Sequence, residues 1–151
     1  LEMDNGHFLV ESLAIIDYLE RKFPDHQLLP TNAEDYGVAR DVERIVDLRL
    51  AGPMGGYGHA VNSPLGYPKD EEKAKQLEQA MQAPLDVLEG LLDDGRPLLL
   101  GEQASVADCT LQASLQFVRY VEADIFGDRP LLRAWDERYR DRPAAKNVLK
   151  W

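Results

Sequence analysis

The stretch LVESLAIIDYLERKFP, residues 9–24, decides how this chain is read. Just before it, LEMDNGHFLV centres on Asn5-Gly6, a two-residue turn pair that tolerates positive φ. This predicts a β-hairpin with arms Leu1 to Asp4 and His7 to Val10. From Ser12 the pattern changes. Ile15 and Leu19 fall one helical turn apart, Ala14 and Tyr18 lie beside them, and Pro24 closes the segment. A lone two-stranded hairpin is only marginally stable in water, and no later segment offers it a strand. The chain also opens on Leu1 rather than a methionine. The expectation is the trailing edge of a domain whose first part lies upstream.

Further on, PDHQLLPTN forms an extended linker between Pro24 and Pro30. Thr31 and Glu34 have capping-box spacing and predict a second helix, with Val38, Val42, Ile45 and Val46 on its buried face. Residues 51–68, AGPMGGYGHAVNSPLGYP, are rich in glycine and proline. They predict a mobile loop, or two short helical pieces with a kink. A third helix is expected from about Lys69 to Leu92, carrying Leu77, Met81, Leu85, Leu88 and Leu92 and bent at Pro84. The tetrapeptide SVAD, Ser105 to Asp108, is a capping-box pattern with Asp at its end. It opens a fourth helix with Val106, Cys109, Ala113, Phe117 and Val121 on one face. A last helical pair holds Leu131, Leu132, Trp135 and Tyr139, then RPAAKNVLKW with Pro143 in the first turn. PLLLG could form a strand but would have no partner. The fold class is therefore mainly α: about five helices over 31–151, a linker at 24–30, and at 1–23 a hairpin and helix that form the trailing edge of another domain.

Composition narrows the function. With 151 residues and 44% hydrophobic content the chain can bury a core. It has neither a long apolar run nor a signal-peptide pattern, so a soluble, cytoplasmic protein without membrane partners is expected. The single Cys109 excludes an internal disulfide and suits a reducing compartment. A net charge of −10, with Lys and Arg dispersed among acids, disfavours nucleic acid. His7, His26 and His59 lack ligand spacing, so no metal site is expected.

The acid–serine pair Glu11-Ser12 heads the first helix. A helix N-terminus attracts a carboxylate, a hydroxyl adds a donor, and a neighbouring acid can hold an ammonium group. The pair could grip an α-amino acid head group, or Ser12 could simply cap the helix; the dipeptide alone leaves both open.

The order L-E-M-D-N-G-x-x-L-x-E-S-x-A-I-x-x-Y-L, the later Ser105-Val106-Ala107-Asp108 box and the terminal RPAAKNVL together resemble cytosolic, bacterial-type glutathione transferases. The resemblance spans essentially the whole chain. It implies the end of a thioredoxin-like domain followed by the family's all-helical domain. It implies that Glu11 and Ser12 bind the γ-glutamyl end of glutathione, the co-substrate, and that Ser105 and Asp108 are structural. It implies a pocket for a small hydrophobic electrophile between the domains, which nominates Met54, Tyr57, His59, Cys109, Gln112 and Phe117. It also implies a homodimer, to which Arg40 and Arg44 could contribute. The family's thiol-activating Ser, Tyr or Cys, and its cis-proline, would precede Leu1, so no residue here is assigned catalysis. The same fold also serves as a non-enzymatic interaction module and as a glutathione-dependent reductase or isomerase.

Overall fold

The computed structural model describes residues 1–148. The N-terminal hairpin forms around a Glu2–Phe8 bridge. The Met3 amide donates to the His7 carbonyl at 2.8 Å, the Gly6 amide to Met3 at 2.9 Å and the Leu9 amide to Leu1 at 2.8 Å. These bonds enclose Asp4, Asn5 and Gly6, and Gly6 alone of the three has positive φ, at 79°. The turn is thus one residue longer than the Asn-Gly signature suggests, with glycine in the left-handed position that such loops require. Helix α1, Ser12–Lys22, follows and has no buried residue. A single 3-10 turn, Pro24–His26, leads into the linker. There the Glu20 carboxylate accepts from the amides of Leu28 and Leu29, each at 3.0 Å, and pins the linker to α1.

Helix α2, Ala33–Val46, is capped by Asn32, whose side chain accepts from the Asp35 amide at 2.8 Å. The cap is one residue later than Thr31. The buried face is Ala39, Val42, Glu43 and Val46, while Val38 is 53% exposed. The expected stripe is rotated because α2 packs against α5.

That segment corrects the reading of 51–68. A wide π-helical turn, Asp47–Ala51, joins α2 to α3, Gly52–Asn62, with helical dihedrals throughout the junction. Pro53, which lacks an amide and crowds the preceding turn, sits directly after the widened turn; such bulges accommodate the strain. The glycines serve packing. A Cβ on Gly58 would lie 2.7 Å from the Phe117 ring, and one on Gly56 3.0 Å from Leu77. They let α3 approach α5 and α4 closely, and that burial overrides glycine's poor helix propensity. Residues 63–70 then form the connection that the composition placed too early.

Helix α4, Glu71–Leu91, is capped by Asp70 and carries Pro84 within it. Leu98 and Gly101 exchange backbone hydrogen bonds at 3.1 Å, so PLLLG is a tight turn. Helices α5 (Val106–Tyr120), α6 (Pro130–Asp141) and α7 (Pro143–Lys146) complete the bundle. The last residues of RPAAKNVLKW, 149–151, lie outside the described residues. One core joins Leu50, Met54, Met81, Leu85, Leu111 and Trp135, all at 0% exposure. The Glu89 carboxylate of α4 accepts from the Leu131 and Leu132 amides at 3.0 and 2.8 Å, capping α6 from outside. Beside it, the Arg129 guanidinium donates to Asp86, Gln82 and the Phe126 carbonyl. Among the described residues no helix is long and apolar enough to cross a membrane.

Candidate functional site

The head of α5 is fully committed to structure. Ser105 and Asp108 form a capping box. The Asp108 amide donates to Ser105 Oγ at 3.4 Å, and the Ser105 amide to Asp108 Oδ2 at 2.9 Å. Asp108, at 0% exposure, also accepts from Ser105 Oγ at 2.6 Å, from the Leu99 amide at 3.0 Å and from Trp135 Nε1 at 2.8 Å. One carboxylate thereby joins the α5 cap, the 98–101 turn and α6. A buried carboxylate is tolerated only when hydrogen-bonded in this manner.

The head of α1 is different. Glu11 occupies the N-cap position in extended conformation, and no side chain caps the helix. Glu11 and Ser12 are both exposed. No side chain therefore caps the first amides of α1, and an exposed carboxylate and hydroxyl stand beside them.

Ser12 stands at the rim of a groove of about 920 Å³ between α1, α2 and α5. Leu13, Ile16, Leu19 and Phe23 form one wall, Glu43 and Asp47 another, and Val106, Cys109, Thr110, Ala113 and Ser114 the floor. Of the six residues nominated for an electrophile pocket, Cys109 lines this groove. Met54 and Gln112 do not: they are 0% and 1% exposed. Met54 fills the core, and Gln112 donates to Asp136 at 2.5 Å and accepts from Arg119. Gln112 lies on the inward side of α5, whose outward side floors the groove, and Met54 belongs to α3, which does not line it. Tyr57 packs on the core edge, where burial pushes its phenol up, with Glu78 and Asp124 adding to the effect.

His59 and Phe117 lie together at the distal end, ring centroids 5.0 Å apart, with Tyr67 at 5.6 Å from His59. His59 Nδ1 and Ser63 Oγ are 2.9 Å apart. Phe117 follows Cys109, Thr110 and Ala113 at helical spacing, so this aromatic cluster continues the stripe that floors the groove. The Tyr139 hydroxyl donates to Cys109 Sγ at 3.4 Å from behind. Burial, then this bond, push the Tyr139 phenol well up.

Sequence reasoning missed Glu43, which is 1% exposed, lines the groove and sits within α2's apolar stripe. Arg40, expected at a dimer interface, faces inward and pairs with Asp17 of α1. Its Nη1 approaches Glu43 Oε2 only to 3.7 Å, and neither atom has a hydrogen-bond partner. Arg44 pairs with Asp47 at 2.8 Å. Burial pushes the Glu43 carboxyl up, Arg44 and Arg40 pull it down, and Asp47 and Asp17 push it up again. The signal was present in the sequence: an acid at i+4 from Ala39 and i+1 from Val42, inside a hydrophobic face.

Among the described residues no group of three or more His, Cys, Asp or Glu could hold a metal ion.

Comparison with known proteins agrees with this architecture. Glutathione S-transferase 2 of Saccharomyces cerevisiae is 28% identical over 99% of this chain and 66% of its own length. The crystal structure of Gtt2 from Saccharomyces cerevisiae superposes with a TM-score of 0.81 at 26% identity, over 99% of this chain and 73% of that one. A glutathione transferase from Burkholderia graminis, solved with two glutathione molecules bound per subunit, gives 0.80 at 25% identity, over 98% of this chain and 63% of that one. The chain thus spans about two thirds of the length of the curated relatives it matches. Residues 45–143 match the family described as glutathione S-transferase, C-terminal domain. The capped, buried head of α5 and the bundle around it are those of a chain that belongs to the glutathione S-transferase family.

Proposed function

We propose that the intact protein is a glutathione transferase that adds the thiol of glutathione to an electrophilic carbon. Residues 1–23 are the end of its thioredoxin-like half and 31–151 its helical half. The observation that carries this reading is the head of α1: an exposed Glu11 and Ser12 beside amides that no side chain caps, at the rim of a groove. The γ-glutamyl end of glutathione carries a carboxylate and an ammonium. The helix amides and Ser12 hydroxyl suit the first, and Glu11 suits the second. The nucleophile is the thiolate, so the reaction needs a group that lowers the thiol pKa; that group comes from the half preceding Leu1. The electrophile lies along the α5 stripe, near Cys109 and toward Phe117 and His59.

The protein acts in the cytoplasm as a homodimer. Val38 and Leu48 of the α2 segment, 53% and 61% exposed, suit the contact better than Arg40 and Arg44, which are engaged within the chain. The test is retention of the intact protein on immobilised glutathione, elution by free glutathione, and thioether formation with an aryl halide. Retention with turnover is expected. Retention without turnover would make the protein a binding module, and neither would overturn the reading.

A further inference from the structure

Helix α3 ends under a strap. Residues 63–70 leave the helix at its C-cap, Ser63, and return to Asp70, the N-cap of α4. Both ends are fastened. The Leu65 amide donates to Ser63 Oγ at 3.2 Å and the Gly66 amide to the Ser63 carbonyl at 3.1 Å, while the Asp70 amide donates to the Ala60 carbonyl at 2.9 Å. Gly66, with φ at 76°, makes the turn. Between the fastenings the strap is exposed. In its middle the Tyr67 ring lies against His59, centroids 5.6 Å apart and planes tilted by 52°, yet Tyr67 stays 58% exposed. His59 is seated more firmly. Its Nδ1 is 2.9 Å from Ser63 Oγ, and its other ring contact is Phe117, at 5.0 Å and 57°. Phe117 is stacked in turn on Tyr120, at 6.4 Å and 13°. This aromatic row closes the far end of the α5 stripe. Phe117 stands eight residues beyond Cys109 on α5, about 12 Å along the axis.

We propose that Tyr67 is a placeholder: the terminal aryl group of a long electrophile takes its position against His59 and Phe117, and the strap swings out to admit it. The inference rests on the transferase reading, which lays the electrophile along this stripe, and adds the length and terminal chemistry of the preferred substrate. The exchange of rings is close to balanced. Tilted and offset pairs are the favoured aromatic geometries, so an incoming phenyl group regains what Tyr67 gives up. Tyr67 passes to water with a hydroxyl that water solvates, and a segment with few buried contacts opens at low cost in free energy. The phenyl group leaves water with no polar atom to satisfy, and that burial tips the balance toward the ligand. A one-ring electrophile seated near Cys109 stops short of the cluster, so the strap discriminates by length. His59 and Tyr67 thus set specificity; neither touches the reacting carbon.

Two thioethers of glutathione that differ only at the tip test this in the intact protein: S-hexylglutathione and S-(6-phenylhexyl)glutathione, followed by calorimetry and amide exchange. The phenyl-tipped compound should bind about tenfold more tightly. It should also speed exchange of the Leu65 and Gly66 amides about tenfold, which S-hexylglutathione should not. His59→Ala should bring the two affinities within about twofold of each other. Tyr67→Ala, at an exposed position, removes the competing ring and should widen the preference beyond the wild-type ratio. A preference that survives His59→Ala undiminished, or that Tyr67→Ala narrows, would overturn the proposal. A preference with strap exchange unchanged would overturn the swap of rings. Equal binding of both thioethers by the wild type sinks this inference and leaves the transferase reading standing; binding of neither sinks both.

Discussion

Ser105 with Asp108, and Ser12 with Glu11, are the same chemistry at the head of a helix, and the fold treats them in opposite ways. At α5 every polar atom of the pair is turned inward and engaged, down to a carboxylate that accepts from Leu99, Ser105 and Trp135. At α1 the pair is exposed and caps nothing. A cap that is buried belongs to folding; a head group left open at a groove's rim is available to a ligand. The lesson is that residue type names a capability and burial decides how it is used.

The largest effect should come from the closed pair. Asp108→Ala leaves buried donors on three segments without an acceptor and should cost about 3–5 kcal/mol in denaturant unfolding. A loss below about 1 kcal/mol would make the hub no more than an ordinary cap. Gly58→Ala presses a methyl group against Phe117 at the α3–α5 seam and should cost about 1–3 kcal/mol. By contrast, Gly55 has nothing within 4 Å of an added Cβ, so Gly55→Ala should stabilise by about 0.5–1 kcal/mol through helix propensity alone. No gain there would argue that α3 is not helical in solution.

The open side makes a pH prediction. Burial holds the Glu43 carboxyl above its ordinary 4.5. An acid whose folded pKa is raised costs nothing when both states are protonated, and destabilises once pH rises through the folded value. In the 151-residue chain, Glu43→Gln should therefore be neutral at low pH and stabilising at neutral pH, read from denaturant midpoints.

Much of this was readable in advance. Period and capping residues marked α1, α4, α5 and α6, and the SVAD box fell where it was expected. The stretch around Gly52 to Gly58 was legible only as a loop or as short, kinked helical pieces, because propensity counts glycines and does not see that two of them face Phe117 and Leu77. Small residues at one-turn spacing were the available clue. Met54 and Gln112 were assigned to a pocket because a helical stripe is the same whether it meets core or cavity. Which one it meets depends on the neighbouring helix, and that is a property of packing. Glu43 was overlooked for the converse reason: it is polar within an apolar stripe, and only the groove beside it gives the position meaning.

The most direct test compares the two pairs in one protein. Glutathione affinity and unfolding midpoint should be measured on the intact protein carrying Glu11→Ala with Ser12→Ala, by calorimetry and denaturant titration. The account predicts an affinity loss of about tenfold or more, about 1.4 kcal/mol, with the midpoint essentially unchanged. Unaltered affinity, or an affinity loss that only follows a fallen midpoint, would contradict it.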